Sequence, residues 1–142
     1  MRILAAPNFL TGARYMDPRY GNISEVFYQV FPSLQWIDIS YGLILIAIAG
    51  YQIYTRFQLA GFKHGAPKKL LWLYAVSIIA GFAYIFSSST AVTLQLIKLN
   101  EPDAAEKVWS FAGSSMWSLI PDVIMFLINK KYYYNRKELF VN

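Results

Sequence analysis

The chain contains no cysteine and a single histidine, His64. The first absence excludes disulfides, thiolate metal sites and cysteine nucleophiles. The second argues against bis-histidine haem and multi-histidine metal centres. Charge is also scarce: Asp, Glu, Lys and Arg make up 15% of 142 residues, against 56% hydrophobic. Soluble domains carry closer to ~25% charged residues, so this is a membrane composition. There is no glycine-rich phosphate loop, no His-Glu-x-x-His pair and no Gly-x-Ser-x-Gly turn. Ser114 and Ser118 have no base in their own apolar run, and Asp122 has no second acid there. Asp38 falls at the opposite end of another run. The sequence therefore points away from an enzyme, and no metal or cofactor is expected. Nor does a secretory or lipidation signal open the chain: Met1–Ala6 is too short for an apolar signal core, and position 2 is Arg.

Long apolar runs are what the chain does have. Those at 34–57, 70–90 and 109–129 each suffice, as helices, to cross a hydrocarbon layer about 30 Å thick. The expected fold is an all-α membrane protein, a bundle of three transmembrane helices. An arm, 1–33, precedes them and a basic aromatic tail, 132–142, follows. Pro7, Gly12, Pro18 and Gly21 make residues 1–22 a loop or a loosely docked arm. In 24–31, Val26, Phe27, Val30 and Phe31 share one helical side, with Ser24 or Asn22 placed to cap the start. That predicts a short amphipathic helix in the interface, ended or redirected by Pro32.

Each run carries small or polar residues at steps of three and four, which share a face. They are Asp38, Tyr41, Gly42, Leu45, Ala49 and Gln52 in the first, and Tyr74, Ser77, Gly81, Tyr84 and Ser88 in the second. In the third they are Ser110, Gly113, Ser114, Trp117, Ser118, Pro121, Asp122 and Met125. Such stripes let helix backbones approach and offer hydrogen bonds between helices. They serve either as plain packing seams or as the lining of a wet cavity or partner site.

Asp122 is the one charge in the third run, and an ionisable group at membrane depth is a functional candidate by default. Pro121 is expected to kink the helix. If the helix restarts there, Asp122 lies in its first turn, where an anion is favoured. Counting from the basic end, Asp122 is level with Gln52 and Tyr74. The candidate polar site is Asp122, Pro121, Ser118, Ser114, Gln52 and Tyr74.

The net charge is +5, and its basic residues cluster beside apolar runs. Arg56, Lys68, Lys69, Lys130, Lys131 and Arg136 are expected at lipid head groups, so the charge needs no nucleic acid. The first connector and the tail are basic, while the second connector is acidic. The basic end should thus face the cytoplasm, with the N-terminus outside. The most natural setting is a bacterial cytoplasmic membrane.

Phe62-Lys63-His64-Gly65-Ala66-Pro67-Lys68-Lys69 forms a short basic connector with a proline. Trp117 and Pro121 in the last run, then Lys130-Lys131, Arg136 and Phe140, complete a pattern over about half the chain. In these features the chain resembles the domain-of-unknown-function 2569 family of small bacterial membrane proteins. The resemblance implies fold and membrane location, and no activity. Asp122 departs from it, standing where the family tends to have an aromatic.

Two functions compete, with recognition of a lipid surface by the basic tail as a third option. In the first, a non-enzymatic membrane protein packs as a subunit or scaffold against other membrane subunits or its own copies. In the second, a small oligomeric channel or proton-linked transporter uses Asp122.

Overall fold

Prolines mark the helix starts. Pro32, Pro67, Pro102 and Pro121 each occupy the first turn of a helix, where the missing N–H costs nothing. A computed structural model describes residues 6–140 of the chain. Arg2 and the last two residues of the tail lie outside the described residues. In chain order come helix α1 (Ala6–Leu10), a 3₁₀ turn (Ala13–Tyr15), a two-stranded hairpin of β1 (Met16–Asp17) and β2 (Gly21–Asn22), and α2 (Ser24–Val30). The long helices follow: α3 (Pro32–Ala60), α4 (Ala66–Lys98), α5 (Pro102–Met116) and, after a 3₁₀ turn at Trp117–Leu119, α6 (Ile120–Tyr134). A last 3₁₀ turn spans Lys137–Phe140. In the hairpin the strands run antiparallel, with Met16 opposite Asn22 and Asp17 opposite Gly21.

Among the described residues, three helical stretches are long and apolar enough to cross a membrane: Pro32–Ala60, Ala66–Lys98 and Pro102–Tyr134. Each outruns the apolar segment read from sequence. The two of 33 residues measure about 50 Å at ~1.5 Å per residue, well beyond a ~30 Å hydrocarbon layer. The α4–α5 turn is closed by Asn100 in the left-handed conformation, φ 58°. That lets the Glu101 amide donate to the Leu96 carbonyl at 3.0 Å, a Schellman-type stop.

Helix α4 is the centre: α3 packs on one side of it, and α5 and α6 on another. The seam of α3 runs through Leu34, Asp38, Tyr41, Leu45 and Ile48, all buried. That of α4 runs through Leu70, Leu73, Ser77 and Gly81. Both agree with the stripes expected from spacing. The third does not. Its buried residues are Ala105, Ala112 and Leu119, seven apart, with Leu119 only 2% exposed. Ser110, Gly113, Ser114 and Trp117 face outward. The reason is local: Ser110 donates to the Lys107 carbonyl at 3.0 Å, and Ser114 and Ser115 to that of Phe111 at 2.7 and 3.0 Å. Serines satisfied by their own helix need no neighbour, so the apolar Ala–Ala–Leu row takes the seam instead.

The arm also differs from expectation. It is folded onto the N-terminal half of α3 and reaches Tyr84 of α4, rather than being loose. Gly42 makes room for it: a Cβ there would stand 2.8 Å from Leu10 Cδ2 and 3.3 Å from Phe9 Cβ. In α2 the expected apolar side is split, for Val26 and Val30 are exposed, while Ser24, Phe27 and Tyr28 turn inward. Asn22 Oδ1 does accept from the Ser24 amide, at 3.0 Å.

Candidate functional site

Asp38 is one helical turn and a half into α3, on its buried face, and is 0% exposed. A carboxylate there must be met by donors or charge. Among the described residues, four side chains meet it. Arg14 Nη1 and Tyr84 Oη donate to Oδ1 at 3.1 and 2.7 Å. Tyr15 and Tyr28 hydroxyls donate to Oδ2 at 2.9 and 3.0 Å. Three of the four come from the arm and one from α4, so a single carboxylate ties three parts of the chain together.

Rings hold the guanidinium in place. The Arg14 carbon lies 4.8, 5.0 and 5.2 Å from the centroids of Phe9, Tyr15 and Tyr84. This is cation–π geometry on three faces at once. Below it, Phe9 meets Tyr41 and Tyr84 edge-on at 4.9 and 5.2 Å, and those two tyrosines stack at 4.3 Å.

The arm tyrosines are tuned by this site. Burial, followed by the negative charge of Asp38, pushes the Tyr28 hydroxyl up to about 12. Burial raises Tyr15 further, with Arg14 opposing and Asp38 adding. Raised folded values mean that the protonated hydroxyls stabilise the docked arm fully below the ordinary tyrosine value of ~10. That contribution is lost as pH climbs through the folded values. Alkaline titration followed by ultraviolet absorbance should therefore show a late tyrosine step, above ~10 and shared with arm release. Tyr28→Phe should remove the part near 12. A titration with no late step would refute this.

Between the arm with α3 on one side and α5 on the other lies a half-open cleft of about 1130 Å³. Its walls are mostly apolar. Arg14, Tyr15, Tyr84 and Lys107 line one end; Ser118 and Asp122 line the other. A smaller cavity of about 280 Å³ lies nearer the basic end, among α3, α4 and α6. It is edged by Gln52, Arg56, Tyr74, Ser77, Asp122 and Tyr133, with room for several waters. Asp122 and Leu45 line both spaces.

Asp122 is half-buried in the first turn of α6, immediately after the 3₁₀ turn that Pro121 follows. Of the residues expected around it, the structure brings Gln52 and Tyr74 to the same small cavity. Ser118 and Pro121 line the larger cleft, and Ser114 faces outward. Arg56 edges the small cavity, and Lys69 Nζ is tied back to Gln58 Oε1 at 2.9 Å. Lys68, Lys130 and Lys131 are exposed, and Arg136 donates to the Tyr132 hydroxyl at 3.0 Å. The first connector and the tail share one end: the Phe62 and Phe140 rings are 5.9 Å apart, and His64 Nδ1 is 2.9 Å from the Phe140 carbonyl oxygen.

Sequence reasoning missed the Asp38 cluster. A signal was present, for Asp38 lies in the same three-and-four stripe as Tyr41 and Leu45, and an acid on a packing face demands a cation. Among the described residues no group of three His, Asp or Glu side chains gathers to hold a metal. Comparison with family models, curated proteins and solved structures finds no match for this chain.

Proposed function

We propose that the chain is a non-enzymatic integral membrane protein that packs as a subunit or scaffold, against other membrane proteins or its own copies. Its basic end faces the cytoplasm and meets anionic head groups, and the arm lies outside. The setting is a bacterial cytoplasmic membrane, and the resemblance to the domain-of-unknown-function 2569 family belongs to this reading. The supporting observation is a pair of glycines. Gly50 in α3 and Gly113 in α5 are exposed, and a Cβ at either would meet nothing within 4 Å. Glycine inside a helix costs about 1 kcal/mol relative to alanine. Nothing among the described residues recovers that cost, whereas a neighbouring helix packed on bare glycine would.

The test is Gly113→Leu, alone and with Gly50→Leu. Both positions are exposed and open around an added Cβ, so the isolated protein should keep its helicity and unfold no more easily. Its assembly in mild detergent or in membranes, read by crosslinking and native electrophoresis, should be lost. Assembly that survives both changes would rule out these faces as the contact.

One observation favours transport as a second reading: Asp122 borders both spaces, and so stands where a path through the bundle would pass. In reconstituted vesicles, Asp122→Asn should then abolish proton flux while assembly persists. Lost assembly with no flux from either form would instead favour the subunit.

A further inference from the structure

We infer that the cleft between α3 and α5 holds an acyl chain of an anionic phospholipid, with the lipid phosphate at Lys107 and Arg14. This is independent of the subunit reading. The cleft is larger than the ~300–1,000 Å³ of ordinary small-molecule sites, and its long walls are apolar, from Phe9 and Leu34 to Val108 and Leu119. Its charged groups are Arg14, Lys107 and Asp122, and between them the walls offer only hydroxyls such as that of Ser115, which bonds to its own helix, so the lining suits an amphiphile better than a soluble polar substrate.

Charge selects the head group. At the arm end the lining groups are cationic, Arg14 and Lys107, and Asp122 at the far end is the one acid in the lining. Lys107 is exposed and, among the described residues, has no carboxylate within ion-pair distance. Arg14 gives Nη1 to Asp38, is 32% exposed, and keeps further N–H donors on a fork fixed by three rings. A preorganised guanidinium and an exposed ammonium lining the same cleft suit a phosphate oxygen set.

Length agrees with depth. Fifteen residues separate Lys107 from Asp122, about 22 Å of helix at ~1.5 Å per residue. One leaflet of a ~30 Å hydrocarbon layer is ~15 Å deep. A chain anchored at Lys107 therefore ends among Leu119 and its neighbours, short of the Asp122 carboxylate. Both anchoring cations also lie toward the acidic α4–α5 turn, the end of the bundle away from the connector and tail.

The test reconstitutes the full chain in nanodiscs holding equal amounts of phosphatidylglycerol and phosphatidylcholine of one chain length. Native mass spectrometry then reads what stays bound after release into mild detergent. The expected result is preferential retention of phosphatidylglycerol. Lys107→Gln, at an exposed position, should weaken that preference about fivefold, the worth of one basic contact at a membrane surface. Val108→Trp, which narrows the cleft next to Lys107, should reduce retention of both lipids. If Val108→Trp fails to fold, by loss of helical circular dichroism, the Lys107→Gln arm decides alone. Equal retention of both lipids, no retained lipid, indifference to Lys107→Gln, or a bound polypeptide in place of lipid would each overturn the proposal.

Discussion

Asp38→Ala should detach the N-terminal arm and leave the long helices standing. The substitution strands an arginine and three tyrosine hydroxyls that now converge on one carboxylate. Removing one partner of a buried ion pair costs about 3–5 kcal/mol, because the other charge stays desolvated without compensation. The penalty falls mainly on the arm, since Arg14, Tyr15 and Tyr28 all belong to it, whereas α4 loses the one bond from Tyr84 and keeps its seam through Leu70, Leu73, Ser77 and Gly81. Trypsin has targets there, Arg14 and Arg19. If the arm opens and closes faster than it is cut, cleavage tracks the open population. The expected acceleration is roughly 10²–10⁴-fold, with helical circular dichroism nearly unchanged. Asp38→Asn should fall between, because it keeps an oxygen acceptor and loses the charge. Tyr84→Phe removes one charge-assisted bond, about 1.5–3 kcal/mol, and should loosen the arm less. An arm as resistant in Asp38→Ala as in the parent would mean that α1 on α3 does the holding.

That cluster also shows where sequence reading stops. The three apolar stretches were legible because twenty or so apolar residues in a row is a local property. The seams of α3 and α4 were legible too: Tyr41, Gly42 and Leu45, or Ser77 and Gly81, fall at helical spacing. The third seam was misplaced because small polar residues were taken to need neighbours, while Ser110, Ser114 and Ser115 bond to carbonyls of their own helix. Ala105, Ala112 and Leu119 carry no such polar flag, yet their sevenfold spacing was there to be read. The arm is a different matter. Its contacts pair Arg14 with Asp38 across 24 residues, and Tyr84 with Asp38 across 46. No periodicity records a pairing of that kind. Asp122 is the acid that stands inside an apolar run, yet Asp38, near the end of its run, is the more buried of the two. Chemistry was legible only as far as position: Asp122, Gln52 and Tyr74 share a cavity, and what the cavity does is not written in their spacing.

Gly12→Ala should release the same arm by a different physical route, and the two routes can be separated. Gly12 has φ +69°, and a Cβ there would stand 2.5 Å from Ser24 Cβ and 2.6 Å from its Oγ. An L-residue in that left-handed conformation costs about 1–2 kcal/mol, and forcing an extra carbon into a packed contact about 1–3 more. Ser24 cannot retreat cheaply, being buried in the first turn of α2 with its amide held by Asn22 Oδ1. So the turn must open, and Arg14, two residues along, leaves Asp38. Ser24→Gly deletes both clashing atoms without changing the backbone strain at position 12. In the double variant the steric part should be recovered and the conformational part should remain, a coupling that a double-mutant cycle reads directly. Amide hydrogen exchange across residues 12–30 is the measurement, with α4 amides as the internal control. Full recovery in the double variant would show that the clash alone matters; no recovery would place the whole cost in the backbone. In either case loss of the arm removes Arg14 and one wall of the cleft together, so lipid retention should fall in step with arm exchange.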